Sequence, residues 1–189
     1  SKLLTSADRE KEFRILQDAG VRGVKIDFFG GDGQSMIQYY IDILQAAAKY
    51  ELMVNFHGST IPRGWHRTYP NLMSMEAVKG FEYVTFEQTN ADEEPSHCTI
   101  LPFTRNLFDP MDFTPLSLYQ VPNINRKTTS GFELALSVVF TSGVTHFVET
   151  PTGMKKAPSH VVEFLKTLPT QWHETKFIAG YPGKEVVLA

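Results

Sequence analysis

An α/β fold follows from three features of the 189-residue sequence. Short apolar stretches alternate with amphipathic helical ones, the βαβ rhythm that requires parallel strands and right-handed crossovers. Three of the apolar stretches end in a polar pair on one face: Lys25 with Asp27, Asn55 with His57, and Ser74 with Glu76. Loops, rather than tight hairpin turns, follow these stretches. Polar side chains converging from the carboxyl ends of successive parallel strands are how a (β/α)8 TIM barrel builds its active site. A complete barrel typically needs about 250 residues, so the expectation is its C-terminal half or more, with about five parallel strands and their helices. Residues 1–170 are assigned to this partial catalytic barrel, and 171–189 to strands that begin a C-terminal β-sandwich domain.

The elements justify themselves in order. Thr5 and Asp8 form a capping box, Phe13, Leu16 and Ala19 give a helical stripe, and Gly20 takes the C-cap position. The stretch 21–33, VRGVKIDFFGGDG, is a short strand that breaks into glycines. Strand alternation puts Val24, Ile26 and Phe28 on one face and Lys25 and Asp27 on the other. Ser35 is placed to cap a helix with Ile37, Tyr40, Ile41, Leu44 and Ala48 on one side. A second strand is predicted over 52–57, a long loop over 58–71 broken by Pro62, Gly64 and Pro70, and a third strand over 72–77. Beyond it, Gly80, Glu82 and the run Asp92-Glu93-Glu94 read as loop, the acidic run as a solvated face. A short helix is expected over 97–107, a fourth strand carrying Asp112 over 111–114, and a capping box at 130–133 opening an apolar helix buried on most sides. A fifth strand over 144–148 ends in Glu149, and Pro158 and Ser159 open a last amphipathic helix. Two strands flank Tyr181-Pro182-Gly183.

Composition narrows the partners. The net charge of -3 with mixed signs gives no nucleic-acid footprint. No apolar run is long enough for a membrane span. The single cysteine, Cys98, permits no intrachain disulfide and reads as a buried inert thiol. Loop 58–71 interleaves Arg63, Trp65, His66, Arg67 and Tyr69, side chains suited to stacking on sugar rings and hydrogen bonding their hydroxyls. The residues by themselves leave two readings of Lys25 and Asp27: a strand-end ion pair, or a carboxylate kept ionised for chemistry by its cationic neighbour. Gly30, Gly31 and Gly33 invite a phosphate-cradling loop, but their spacing matches neither GxGxxG nor GxxxxGK[ST].

The segments GVKIDFF at 23–29, NFHG at 55–58, PRGWHRTYPNL at 62–72, MEAVKGFEY at 75–83 and PMDFTP at 110–115 together resemble the catalytic barrel of glycoside hydrolase family 97. The resemblance implies hydrolysis of α-glycosidic bonds with calcium, by retaining α-galactosidases or by inverting α-glucosidases. On it, Asp27 matches the nucleophile, Glu82 the general acid/base, and Glu76 with Glu82 the calcium ligands. Lys25, His57, Arg63 and Trp65 become substrate contacts. Gly58 stands where an inverting member is expected to carry a glutamate base, which favours retention. Retention requires one ionised carboxylate to attack the anomeric carbon and one acid to protonate the leaving oxygen, their carboxyls roughly 5–5.5 Å apart.

Two glutamates do not fill the usual six to eight oxygen positions of calcium, so further ligands are expected from water or from outside this chain. The expected partners are an oligosaccharide substrate and the remaining barrel half and flanking β-domains of a parent chain, or self-association in their place. Periplasmic or secreted placement in a bacterium is implied by the resemblance alone. The alternatives are an inverting α-glucosidase and a non-catalytic carbohydrate- or phosphate-binding barrel.

Overall fold

A computed structural model describes residues 2–189, which divide into two compact units, one ending at Ala77 and the other spanning Val78–Ala189. The first unit runs α1 (Ser6–Asp18), β1 (Gly23–Ile26), α2 (Gln34–Lys49), β2 (Met53–Phe56), a 3-10 turn (Trp65–Arg67) and β3 (Leu72–Met75). Its sheet is parallel, in the order β1-β2-β3. Thr5 caps α1 as the sequence requires, its hydroxyl accepting from the Asp8 N–H at 3.1 Å, and Gly20 leaves the helix at φ +79. Helix α2 starts one residue before Ser35, at a Gly33 N-cap that has no side-chain acceptor.

The apolar faces of these elements close one core. Tyr40, Ile43, Leu44 and Ala47 of α2 meet Val54 and Phe56 of β2, Leu72 and Met75 of β3, and Phe13 of α1. Val24 and Ile26 of β1 pack against the same cluster. Phe29 stacks on Tyr40 with ring centroids 4.1 Å apart and meets Phe56 edge-on at 5.2 Å.

The second unit holds α3 (Phe81–Val84), α4 (Gln88–Ile100), α5 (Ser130–Val139), α6 (Pro151–Lys156), α7 (Ser159–Thr167) and the antiparallel hairpin β4 (Phe177–Tyr181) with β5 (Glu185–Leu188). Phe81, Cys98, Leu101, Met111, Phe113, Leu136 and Phe140 form its main core. Cys98 is buried as expected, and burial pushes its thiol well up.

Several expected elements differ. Neither 111–114 nor 144–148 forms a strand, so the described residues contain a three-stranded parallel sheet and not a full barrel. Pro110 and Pro115 bracket the first stretch, and Thr114 and Leu116 adopt left-handed backbone at φ 57 and 79, which no ladder accepts. Single hydrogen bonds remain, from Met111 N–H to Thr141 O and from Val148 N–H to Pro115 O. Helix α4 begins well before residue 97 and contains the acidic run, its start obscured in sequence by Pro95 inside it. Glu94 is therefore buried and not part of a solvated face. Glu82 sits on the helical turn α3 instead of a loop. Helix α5 is capped by Thr129 and is half-buried along much of its length, not enclosed on most sides.

Candidate active site

The register of the first sheet lays the polar side chains out in two rows. Lys25 pairs with Asn55 across β1 and β2, and Asn55 with Ser74 across β2 and β3. One dyad further along, the ladder continues through His57 N–H to Ile26 O at 2.9 Å and Glu76 N–H to Phe56 O at 2.7 Å. This brings Asp27, His57 and Glu76 to the carboxyl ends of three neighbouring strands. Such a row follows from period-2 alternation, once the opposite face is committed to the core by Ile26, Phe56 and Met75.

Asp27 is fixed by its surroundings. Its Oδ1 accepts the Phe28 N–H at 2.8 Å, and its Oδ2 lies 3.9 Å from Lys25 Nζ, a partly exposed ion pair. Gly58 crosses directly beneath it at φ +51. A Cβ built on Gly58 would stand 2.7 Å from Asp27 Oδ1 and 3.0 Å from Phe28 N. Glycine is required here twice, for the left-handed backbone and for the approach of the carboxylate.

Glu76 ties the next strand to the same place. Its Oε2 accepts the Gly58 N–H at 2.7 Å, and its Oε1 lies 3.5 Å from Nδ1 of His57, whose side chain is 1% exposed. Burial, the largest influence, pushes the Glu76 carboxyl up, yet the His57 imidazole, the Gly58 N–H and the Lys25 ammonium together hold it below the ordinary glutamate value. Glu76 is thus an ionised carboxylate within a hydrogen-bonded chain that runs Glu76, Gly58, then the backbone beside Asp27.

The remaining expected site residues lie on other elements. Arg63 is exposed and pairs with Asp32 at 3.4 Å. Trp65 is half-buried, its ring 5.2 Å from Tyr40, so part of it serves the core. Glu82 belongs to the second unit, exposed on α3, a turn begun by the Phe81 N–H bonding to Phe113 O at 2.8 Å. Gly80 permits that contact, since a Cβ there would stand 2.6 Å from Phe113 O.

Comparison with known proteins places this geometry. The family model for glycoside hydrolase 97 matches residues 3–78, nearly the whole first unit. A probable retaining alpha-galactosidase from Streptomyces bingchenggensis is 42% identical over 98% of this chain, which spans 28% of that protein. The first unit belongs to glycoside hydrolase family 97. A retaining alpha-galactosidase from Bacteroides thetaiotaomicron is 30% identical over 96% of this chain, again against 28% of its own length. Among solved structures, a beta-arabinopyranosidase superposes with a TM-score of 0.95 at 41% identity, over 100% of this chain and 31% of that one. A family 97 enzyme from Pseudoalteromonas sp. strain K8, in complex with panose, superposes with a TM-score of 0.80 at 26% identity, over 96% and 31%. The chain thus spans under a third of the length of these relatives.

A calcium ion, which this family implies, needs oxygen ligands. Glu76 fits, being ionised and already oriented by Gly58, whereas His57 beside it offers nitrogen, which suits calcium poorly. The first unit therefore supplies part of an oxygen set and not a whole one.

Three acids of the second unit have partners that the sequence does not signal. Asp112, wholly buried, accepts from His146 Nδ1 at 2.6 Å and fixes that ring, a pairing across 34 positions that no local pattern signals. Glu149 gathers the N–H groups of Leu118 at 2.8 Å and Thr150 at 2.8 Å and pins a loop. Glu133, read as the closing acid of a capping box, is instead buried, accepting from the Thr128 hydroxyl and the Ser117 N–H.

Proposed function

We propose that this chain carries the nucleophile-bearing part of a retaining glycosidase that acts on galacto-configured α-glycosides. In this reading β1, β2 and β3 are successive strands of a (β/α)8 barrel, and residues 171–189 lead into a further β-domain. The observation that carries it is the crossing of Gly58 beneath Asp27. The position from which an inverting enzyme would extend its base has no room for any side chain, because the Asp27 carboxylate occupies that room. A carboxylate held at a strand's carboxyl end, partly open to solvent and oriented by a backbone N–H, suits attack on an anomeric carbon.

The chemistry balances in two steps. An Asp27 oxygen forms a bond to the anomeric carbon as the bond to the leaving oxygen breaks, and Glu82 gives that oxygen its proton. Water then attacks the same carbon, Glu82 takes its proton back, and the ester to Asp27 breaks, leaving the original configuration. Lys25 would contact sugar hydroxyls, with Arg63 and Trp65 as further contacts, whereas His57, whose side chain is 1% exposed, would act through Glu76 and not on the sugar. Glu76 and Glu82 would hold calcium, whose positive charge would fix these carboxylates and polarise bound oxygens.

A second substrate is favoured by the beta-arabinopyranosidase relative. A β-L-arabinopyranosyl ring has the ring stereochemistry of α-D-galactose and lacks only the C6 hydroxymethyl group. Hydrolysis of aryl α-galactoside, β-L-arabinopyranoside and α-glucoside by the full-length protein, followed by proton NMR, tests both points. Release of α-galactose first, with the glucoside the poorest substrate, is expected. Initial β-galactose, or a preference for the glucoside, would overturn the reading.

A further inference from the structure

Strand alternation assigns Phe28 to the core face with Val24 and Ile26, yet its side chain is 93% exposed. The chain leaves the strand at Asp27, and Phe28 adopts left-handed backbone at φ 70. That turn is held by the proposed site itself: the Phe28 N–H bonds to Asp27 Oδ1 at 2.8 Å, and the Phe29 N–H bonds to Gly58 O at 3.1 Å. Phe29, one residue on, takes the core place against Tyr40 and Phe56.

Within this chain, which spans under a third of its relatives' length, Phe28 bears two local costs and gains no burial in return. A left-handed position favours glycine, which the sequence uses freely at 30, 31 and 33. A large ring left in water forfeits the transfer energy that an aromatic side chain normally contributes. An outlier of this kind beside a candidate nucleophile points to a role outside folding. The chemistry that recognises an exposed aromatic face is the apolar side of a pyranose. In the galacto configuration the axial O4 leaves the C3, C4 and C5 hydrogens as one contiguous patch, drawn to the negative face of the ring.

We propose that Phe28 is the platform on which the C3–C5 face of the sugar bound at Asp27 rests, making it a specificity-determining residue. This rests on the glycosidase reading of Asp27. Because the patch excludes C6, α-galactosides and β-L-arabinopyranosides use it alike.

The test compares wild type, Phe28→Ala, Phe28→Leu and Phe28→Tyr in the full-length protein, on aryl α-galactoside and aryl β-L-arabinopyranoside, alongside melting temperatures. Phe28→Ala is expected to lower kcat/KM roughly 10–100-fold on both substrates, mainly through KM, at unchanged Tm. Phe28→Leu should resemble Ala, since it keeps bulk without a flat ring, while Phe28→Tyr should keep most activity. Unchanged kcat/KM in Phe28→Ala, or recovery by Leu together with a lowered Tm in Ala, would overturn the platform and leave the glycosidase reading standing. A wild-type protein inactive on both sugars would overturn the glycosidase reading and the platform with it.

Discussion

Asp27 and Gly58 constrain each other, and the pair carries the functional reading at the scale of single residues. The Asp27 carboxylate can lie where it does because residue 58 has no Cβ, and the Gly58 N–H is in turn engaged by Glu76 at 2.7 Å. Gly58→Ala should therefore destabilise twice, by roughly 1–2 kcal/mol for left-handed alanine backbone and further by the collision with Asp27. A thermal melt should show a clear fall in Tm with loss of hydrolysis, and an unchanged Tm would show that the crossing is looser than described. Most of this site was legible from alternation, which aligned Lys25, Asp27, Asn55, His57, Ser74 and Glu76 before any coordinates. Phe28 was not, because alternation assumes continued strand and the chain turns left-handed one residue after the carboxylate.

At the scale of elements, β1, β2, β3 and both ends of α1 follow from pattern, since each pairs a regular period with a local start or stop signal. The expected fourth strand failed where Pro110, Pro115 and the left-handed Thr114 and Leu116 interrupt a short apolar run, and the fifth keeps a single backbone bond, from Val148 N–H to Pro115 O. Helix α4 was obscured because Pro95 and the acidic run masquerade as loop, whereas Glu94 turns inward. No donor reaches either carboxyl oxygen of Glu94, which faces Glu133 on α5, with Arg126 and Cys98 as the other titratable neighbours. Burial first, then the charge of Glu133, pushes the Glu94 carboxyl up to about 8.

The consequence is an alkaline liability in the second unit. A carboxyl raised above its unfolded value contributes stability that is complete below the unfolded pKa of about 4.5 and is lost as pH rises through about 8. The free energy of unfolding should fall between pH 6 and pH 9 by an amount on the order of a few kcal/mol, and Tm should fall with it. Glu94→Gln, which keeps a donor toward Glu133 and cannot ionise, should flatten that limb and exceed the wild type at pH 9. Parallel pH profiles for the two proteins would show that Glu94 does not carry the proton.

At the scale of the whole molecule, the chain spans 28% of the curated relatives and 31% of the solved ones it matches. The first unit coincides with the family match, and its three parallel strands present one row of functional groups at their carboxyl ends. β1 has a sheet neighbour on one side only, and β4 bears the exposed Phe177, Ile178 and Tyr181. Alternation and helical period could reveal the strands, but not the long-range pairings such as Asp112 with His146, which depend on loops of irregular backbone.

The central claim is that Asp27 attacks the sugar. A fluorinated galactosyl fluoride, which forms the glycosyl ester and releases it slowly, should add one sugar mass to the full-length protein. Peptic mapping should place that mass on Asp27, and Asp27→Asn should abolish labelling without lowering Tm. A label on another carboxylate, or turnover to β-galactose with no covalent adduct, would contradict the account.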